Sequence, residues 1–344
     1  MKILVFGAGA IGQWLGGTLA LGGQDVTLLA RPSVCRVLRD EGLRLPQGRV
    51  TLDAVESLED CAGRSFDWLI LAVKAYDVEQ ALADLQGRVA AERVLAVQNG
   101  VGTDESVARV FGPERTFVGS ITRAVALPSP GLVEPAPRGG MGLAPYQPGS
   151  SPGALPEALR AAGLKVVLHP DHRAMKWSKL LLNMLGNALG AILDLEPRRL
   201  FRDGRLYRVE ILALREAVHV VEAQGLEPVD LPDYPVKLMI RVSSLPTLLS
   251  FPLLSPRMAR GRGDKRPSLL LDLLAGRPRS EVSWLNGAVA RQARALGLAA
   301  PVNAFLTRVL EAIVAGAIPW ERYRWRPEAF LADLKAFRRQ KCPD

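Results

Sequence analysis

Lys2-Ile3-Leu4-Val5-Phe6-Gly7-Ala8-Gly9-Ala10-Ile11-Gly12 opens the chain, and the reading of this stretch decides the fold. Five residues that read as a β-strand run straight into G-x-G-x-x-G, and Ile11–Leu21 beyond it has the periodicity of an amphipathic helix. In such a strand–turn–helix Gly7 supplies the tight turn, Gly9 lets a pyrophosphate approach the backbone, and Gly12 lets the helix pack on the strand. The backbone N–H groups across Gly7, Ala8, Gly9, Ala10, Ile11 and Gly12, with the helix dipole, would then bind the phosphates. A glycine-rich turn alone can be only a turn. Here further strand–helix units follow it, which favours a dinucleotide-binding half.

Those units are visible as apolar runs at Ile3–Phe6, Val26–Ala30, Trp68–Val73, Val94–Val97 and Thr116–Ile121, with an amphipathic stretch at Val78–Leu85. Short strands alternating with helices point to a mostly parallel sheet covered on both faces. Residues 124–148, rich in Pro and Gly, read as an antiparallel extension at the sheet edge, and Leu164–Leu168 as one last strand. From Asp171, a candidate N-cap, the pattern turns helical: 171–192, 205–224, 234–250, 266–275, 280–297 and 302–315, with Gly225 and Gly297 as stops. The expected fold is therefore α/β, an N-terminal Rossmann-type doubly wound sheet over 1–169 followed by an all-helical domain over 170–344. Ser243–Pro267, broken by four prolines, reads as a long irregular connection. The apolar pieces of 236–255 fit either burial against a second copy in a homodimer or packing within the chain.

Length and composition agree with two soluble domains: 344 residues, 48% hydrophobic and 23% charged. The longest apolar run, Leu180 to Leu193, is interrupted by Asn183 and Asn187 and is too short to span a bilayer. The N-terminal apolar run is too short for a secretory leader. Cys35, Cys61 and Cys342 are far apart and lack metal-ligand spacing, so no metal site and a cytoplasmic location are expected. The net charge of +9 comes from 44 basic and 35 acidic residues. With no nucleic-acid module and no aromatic–basic interleaving, that charge does not point to nucleic acid. Nine lysines stand among 35 arginines, so a lysine carries more information here than an arginine.

The second strand ends Leu28-Leu29-Ala30-Arg31 with no carboxylate, Asp25 lying at its other end. An acid there would bond a ribose 2′-hydroxyl, whereas a basic residue accommodates a 2′-phosphate, so Arg31 argues for NADPH. The competing reading is one more surface arginine. Lys74 follows the third core strand and can reach phosphate or ribose, and Asn99 in Gln98-Asn99-Gly100 follows the fourth. In the helical half, Lys179, Asn183 and Asn187 are spaced i, i+4, i+8, one face of a single helix. A row of polar side chains on an otherwise apolar helix fits the lining of a polar cleft, because burying them unpaired costs about 1–3 kcal/mol each; the competing reading is a satisfied polar contact between domains. Further on, Ser268-x-x-x-Asp272 precedes Glu281, with Ser280 as a candidate N-cap, and Glu281 taken alone reads as a charge at a helix N-terminus rather than as a catalyst.

GAGAIG at 7–12, VKAYD at 73–77, QNGVG at 98–102, WSKLLLN…N at 177–187 and S-x-x-x-D…E-x-x-x-x-NG from 268 to 287, in this order, resemble the ketopantoate reductase family (2-dehydropantoate 2-reductases). The resemblance covers nearly the whole chain. It implies a Rossmann domain followed by a helical domain, and NADPH-dependent reduction of 2-dehydropantoate to pantoate in pantothenate and coenzyme A synthesis. It further implies Lys179 as general acid and Glu281 as the acid that holds the substrate hydroxyl. Asn99, Asn183, Asn187 and Ser268 match substrate-binding positions, Asn99 lying near the nicotinamide as well, and Arg31 and Lys74 match contacts to the 2′-phosphate. Two departures, a longer Asn187–Ser268 segment and one extra residue between Asp272 and Glu281, leave open another branched 2-oxo acid as substrate. A non-catalytic NADPH-binding sensor is the reading from a different class.

Overall fold

A computed structural model describes residues 1–261 and 266–341. Cys342 and the part of the 243–267 connection at 262–265 lie outside the described residues. The chain divides into two compact units, Met1–Lys176 with Leu231–Tyr234, and Trp177–Asp230 with Pro235–Asp344.

The strands of the first unit are β1 (Lys2–Phe6), β2 (Asp25–Leu29), β3 (Leu43–Leu45), β4 (Gly48–Val50), β5 (Asp53–Val55), β6 (Ser65–Leu71), β7 (Ala90–Ala96), β8 (Thr116–Ile121), β9 (Val125–Ser129), β10 (Leu132–Pro135), β11 (Met141–Pro145) and β12 (Val166–Leu168). Eight of them form one sheet in the order β12-β11-β8-β7-β6-β1-β2-β5. Pairing is parallel throughout except between β8 and β11. Its helices are α1 (Ala10–Leu21), α2 (Pro32–Glu41), α3 (Val78–Leu85), α4 (Asp104–Phe111), α5 (Leu155–Ala161) and the first residues of α6 (His172–Met184).

The two-residue period of β1 builds the two faces. Ile3 and Val5 bury with Trp14, Leu15, Cys35, Leu38, Leu155 and Leu159, so α1, α2 and α5 cover one side. Leu4 buries with Leu69, Leu71, Val78, Leu82 and Val107, so α3 and α4 cover the other. This is the doubly wound sheet expected, and strands buried on both faces are why its sequence runs are continuously apolar. The chain leaves β1 toward β2 on one side, while β6, β7 and β8 extend on the other. The switch point therefore lies between the carboxyl ends of β1 and β6, where open α/β sheets hold ligands.

Residues 124–148 are split. β11 extends the main sheet antiparallel to β8, whereas β9 and β10 join β3 and β4 in a separate four-stranded sheet, β4-β3-β10-β9.

The second unit is helical. After α6 come α7 (Ala188–Leu193), α8 (Pro197–Leu200), α9 (Gly204–Ala223), α10 (Val236–Ser244), α11 (Thr247–Gly261), α12 (Ser268–Leu274), α13 (Asn286–Ala295), α14 (Pro301–Val314) and α15 (Pro327–Lys341). Asp171 caps α6 by accepting from the N–H groups of Arg173 and Ala174, and Gly225 and Gly297 stop their helices at positive φ. The irregular connection expected over 243–267 is replaced by α11, which runs through Pro252 and Pro256. A proline inside a helix costs about 3 kcal/mol, so packing must decide here. Ser250, Leu254, Ser255 and Ala259 are buried at helical spacing. The Tyr207 hydroxyl donates to Ser250 Oγ at 3.0 Å, and Ser255 Oγ donates to the Phe201 carbonyl at 2.6 Å. The helix expected over 234–250 ends instead at Ser244, because Leu245 precedes Pro246 and is held extended. Leu238, Leu248, Leu249 and Leu253 remain exposed on α10 and α11.

His169, just beyond β12, is buried, and its Nε2 finds no hydrogen-bond partner. Burial pulls its pKa below the ordinary 6.5, and the same cause lowers that of His172. A histidine held neutral when folded takes up its proton on unfolding, so stability is lost as pH falls below about 6.5. His169→Gln removes one such group. Thermal unfolding of wild type and variant from pH 7 to pH 5 should show the variant losing less stability; parallel curves would exclude His169 from the balance.

Candidate functional site

In the first unit, the turn after β1 places Gly7 at φ +110°, where a Cβ would lie 3.0 Å from the Ala72 carbonyl carbon and the Val73 nitrogen. A Cβ on Gly12 would fall inside the van der Waals shell of the Gly7 carbonyl oxygen. A Cβ on Gly9, by contrast, would meet nothing within 4 Å, so its backbone borders open space. Gly9 is the N-cap of α1, no side chain caps this end, and its first turn carries no acidic residue. A helix N-terminus of this kind attracts an anion through its N–H groups and dipole. The turn fits a dinucleotide pyrophosphate.

The other expected residues of this unit follow the carboxyl ends of neighbouring strands. Arg31 is exposed and is the N-cap of α2, directly beyond β2. The carboxylate at the end of adjacent β5, Glu56, is paired with Arg39 at 3.0 Å, and the first turn of α2 has no acid. Lys74 and Asn99, half-buried, follow β6 and β7. Gln98 locks these two loops together: its Nε2 donates to the Leu71 carbonyl at 2.6 Å and to the Val73 carbonyl at 3.3 Å.

In the second unit, Lys179 and Asn183 share a face of α6 and are half-buried beside fully buried Leu180 and Leu181. The single helix expected over 171–192 is broken, so Asn187 does not continue that row. Gly186 takes φ +64° and its N–H donates to Glu210 Oε2 at 2.8 Å, which ends α6 and leaves Asn187 as N-cap of α7. Asn187 is 1% exposed and fully engaged. Its Nδ2 donates to the Asn183 carbonyl at 3.1 Å and Ser268 Oγ at 3.2 Å, and its Oδ1 accepts from the Leu269 N–H at 3.1 Å. It thereby ties the end of α6 to the start of α12. Glu281 is buried and opens a 3₁₀ turn, Glu281–Trp284, where the Ser280 hydroxyl accepts from the Val282 N–H as expected of its cap. Asn286 is bound by Nδ2 to Asn303 Oδ1 at 2.9 Å.

Sequence reading missed Lys176. This lysine is 2% exposed and ion-paired with Asp104 at 3.4 Å, and its Nζ donates to the Gln98 carbonyl at 2.5 Å. The scarcity of lysine in this chain was the signal that could have found it. Among the described residues no group of three or more His, Cys, Asp or Glu is placed to hold a metal ion, and no helix is long and apolar enough to cross a membrane.

A doubly wound sheet with an uncapped glycine turn at its switch point, followed by a helical unit that carries a half-buried lysine, is the architecture of an oxidoreductase with a nucleotide-binding half. The family model described as ketopantoate reductase PanE/ApbA matches residues 3–147, and its C-terminal counterpart matches 171–314. The chain is 30% identical to 2-dehydropantoate 2-reductase of Halobacterium salinarum over 88% of this chain and 95% of that protein. It is 28% identical to the enzyme so named from Pyrococcus horikoshii, over 91% and 97%. The crystal structure of a PanE/ApbA family ketopantoate reductase from Ralstonia eutropha superposes with a TM-score of 0.77 at 28% identity, covering 92% of this chain and 99% of that one. The chain belongs to the ketopantoate reductase family, as its ordered motifs indicate.

Because the Asn187 amide has every polar group engaged, Asn187→Ala should cost about 1–3 kcal/mol of stability, the range for orphaned buried partners. Denaturant titration checks this; a loss below about 0.5 kcal/mol would show that water replaces the amide.

Proposed function

We propose that this chain reduces 2-dehydropantoate to pantoate with NADPH, the first unit binding cofactor and the second substrate. The observation that carries the reading is that the family's two models match in order along the chain, and the resemblance of the 177–187 motif supports Lys179 as the general acid. The chemistry that bound NADPH supplies is a hydride to the C2 carbonyl carbon of the oxo acid. Lys179 Nζ donates the proton that the resulting alkoxide oxygen takes up, completing the hydroxyl. Asn183 and Ser268 hold the carboxylate and hydroxyl groups, with Asn187 keeping Ser268 in place, and Glu281 accepts from the substrate hydroxyl. Gly7 to Gly12 cradle the pyrophosphate, Asn99 reaches toward the nicotinamide, and Arg31 with Lys74 takes the 2′-phosphate. For NADPH over NADH the support is Arg31 at the end of β2 and the engagement of the nearby Glu56 carboxylate by Arg39. The free thiols of Cys35 and Cys61 fit a cytoplasmic setting.

NADPH consumption measured with 2-dehydropantoate beside 2-oxoisovalerate, pyruvate and other branched 2-oxo acids tests the reading. A clear preference for 2-dehydropantoate is expected; turnover confined to another oxo acid would keep the mechanism and change the substrate. Lys179→Ala should lower kcat by roughly 10²–10⁴ while NADPH still binds, the usual contribution of a positioned acid. Unchanged turnover removes Lys179 from the mechanism. Arg31→Glu should shift the preference for NADPH over NADH toward NADH, and an unaltered ratio would return Arg31 to the surface arginines.

A further inference from the structure

Lys176 is the most deeply buried cation noted in the first unit, and the reaction outlined above gives it no part. Its side chain is 2% exposed and that of its partner Asp104 5% exposed, so both charges are desolvated. Such a pair is costly to bury and is weak support for a purely stabilising role, since an apolar pair of similar volume often serves as well. What it holds is therefore informative. Lys176 Nζ donates to the carbonyl of Gln98 at 2.5 Å, while Asp104, first residue of α4, anchors the ammonium. The side chain of the same Gln98 grips the carbonyls of Leu71 and Val73, the latter directly preceding Lys74 in the chain. The loop beyond Gln98 contains Gly100 at φ +80° and Gly102 at φ +102°, positions that give a backbone freedom unless something fixes it.

We infer that Lys176 is a positioning residue for cofactor binding: paired with Asp104, it pins Gln98 and so sets both loops, the one bearing Asn99 and the one bearing Lys74. It touches neither substrate nor cofactor. The ammonium suits this place because it is a point donor whose charge is balanced from the helix beginning at Asp104, whereas a neutral donor of that length is not available among the side chains. The functional part of this inference rests on the dinucleotide reading of the first unit; the brace itself does not.

The test uses Lys176→Met together with Asp104→Asn, which removes both charges and leaves no orphaned ion, beside Lys176→Arg, which keeps a donor. Amide hydrogen exchange reports the brace without cofactor, and NADPH fluorescence titration reports its consequence. In the double variant, exchange across 98–103 and 72–77 should accelerate on the order of tenfold while β1 and β2 stay protected, and the NADPH Kd should rise on the order of tenfold. Lys176→Arg should recover most of both. Unchanged loop exchange overturns the brace. Faster exchange with an unaltered Kd overturns its role in positioning. Loop acceleration in a chain whose wild type binds no NADPH upholds the brace and overturns the cofactor reading instead.

Discussion

The close approach of Gly12 to the Gly7 carbonyl is the constraint on which the first unit depends. It sets the first turn of α1 directly on the carboxyl end of β1, and everything packed on α1 inherits that position. The helix is thin on both sides. A Cβ on Gly16 would touch Val5 and Val26 of the main sheet, and one on Gly17 would collide with Leu43 and Leu45 of β3. Glycines weaken a helix by roughly 0.5–1 kcal/mol each relative to alanine. Here that cost is offset by the burial of Trp14, Leu15 and Leu19 between two sheets. Buried Gln13 completes the arrangement, its Nε2 donating to the Ala8 carbonyl at 2.8 Å and its Oε1 accepting from the Gly131 N–H at 2.9 Å. The turn that would hold phosphates and the hairpin between β9 and β10 are thus fixed by one side chain.

That dependence explains which features were legible in the sequence. Strands buried on both faces announce themselves as apolar runs, and the main sheet was readable for that reason. The small second sheet was not, because β3 and β4 are three residues each and their hairpin joins β10, far along the chain, through β3. The Gly7–Gly12 turn and the positions of Arg31, Lys74 and Asn99 at strand ends followed from local pattern. The break at Gly186 did not, since it depends on Glu210 reaching its N–H from α9. Pro252 and Pro256 argued for irregular chain, and tertiary packing of α11 on Tyr207 and Phe201 overrode them. Lys176 and Asp104 are far apart in sequence, so their pairing has no local signature at all.

Several of the arginines have local structural work. Arg39 donates to the Ala54 carbonyl as well as to Glu56. Arg160 donates to the Val166 carbonyl, and Arg215 to the Ser243 and Leu245 carbonyls. Arg324 pairs with Asp194 at 2.9 Å, a residue that ends α7 in the left-handed region. A planar guanidinium with several donors can satisfy carbonyls that strands and helices leave open at their ends.

The same accounting explains where the buried polar residues of the helical unit gather. An α-helix leaves N–H groups unsatisfied at its start and carbonyls at its end, so buried polar side chains gather there for structural reasons. Glu216 serves the start of α14, accepting from the N–H groups of Val302 and Asn303, and burial pushes its carboxyl pKa up against those hydrogen bonds. Asn303 extends that network to the Ala213 carbonyl and to Asn286, and Asn187 does equivalent work where α12 begins. Lys179 sits in the middle of α6, where backbone groups already satisfy one another. A half-buried lysine in mid-helix among leucines therefore differs in its place from the buried amides, which gather at helix ends.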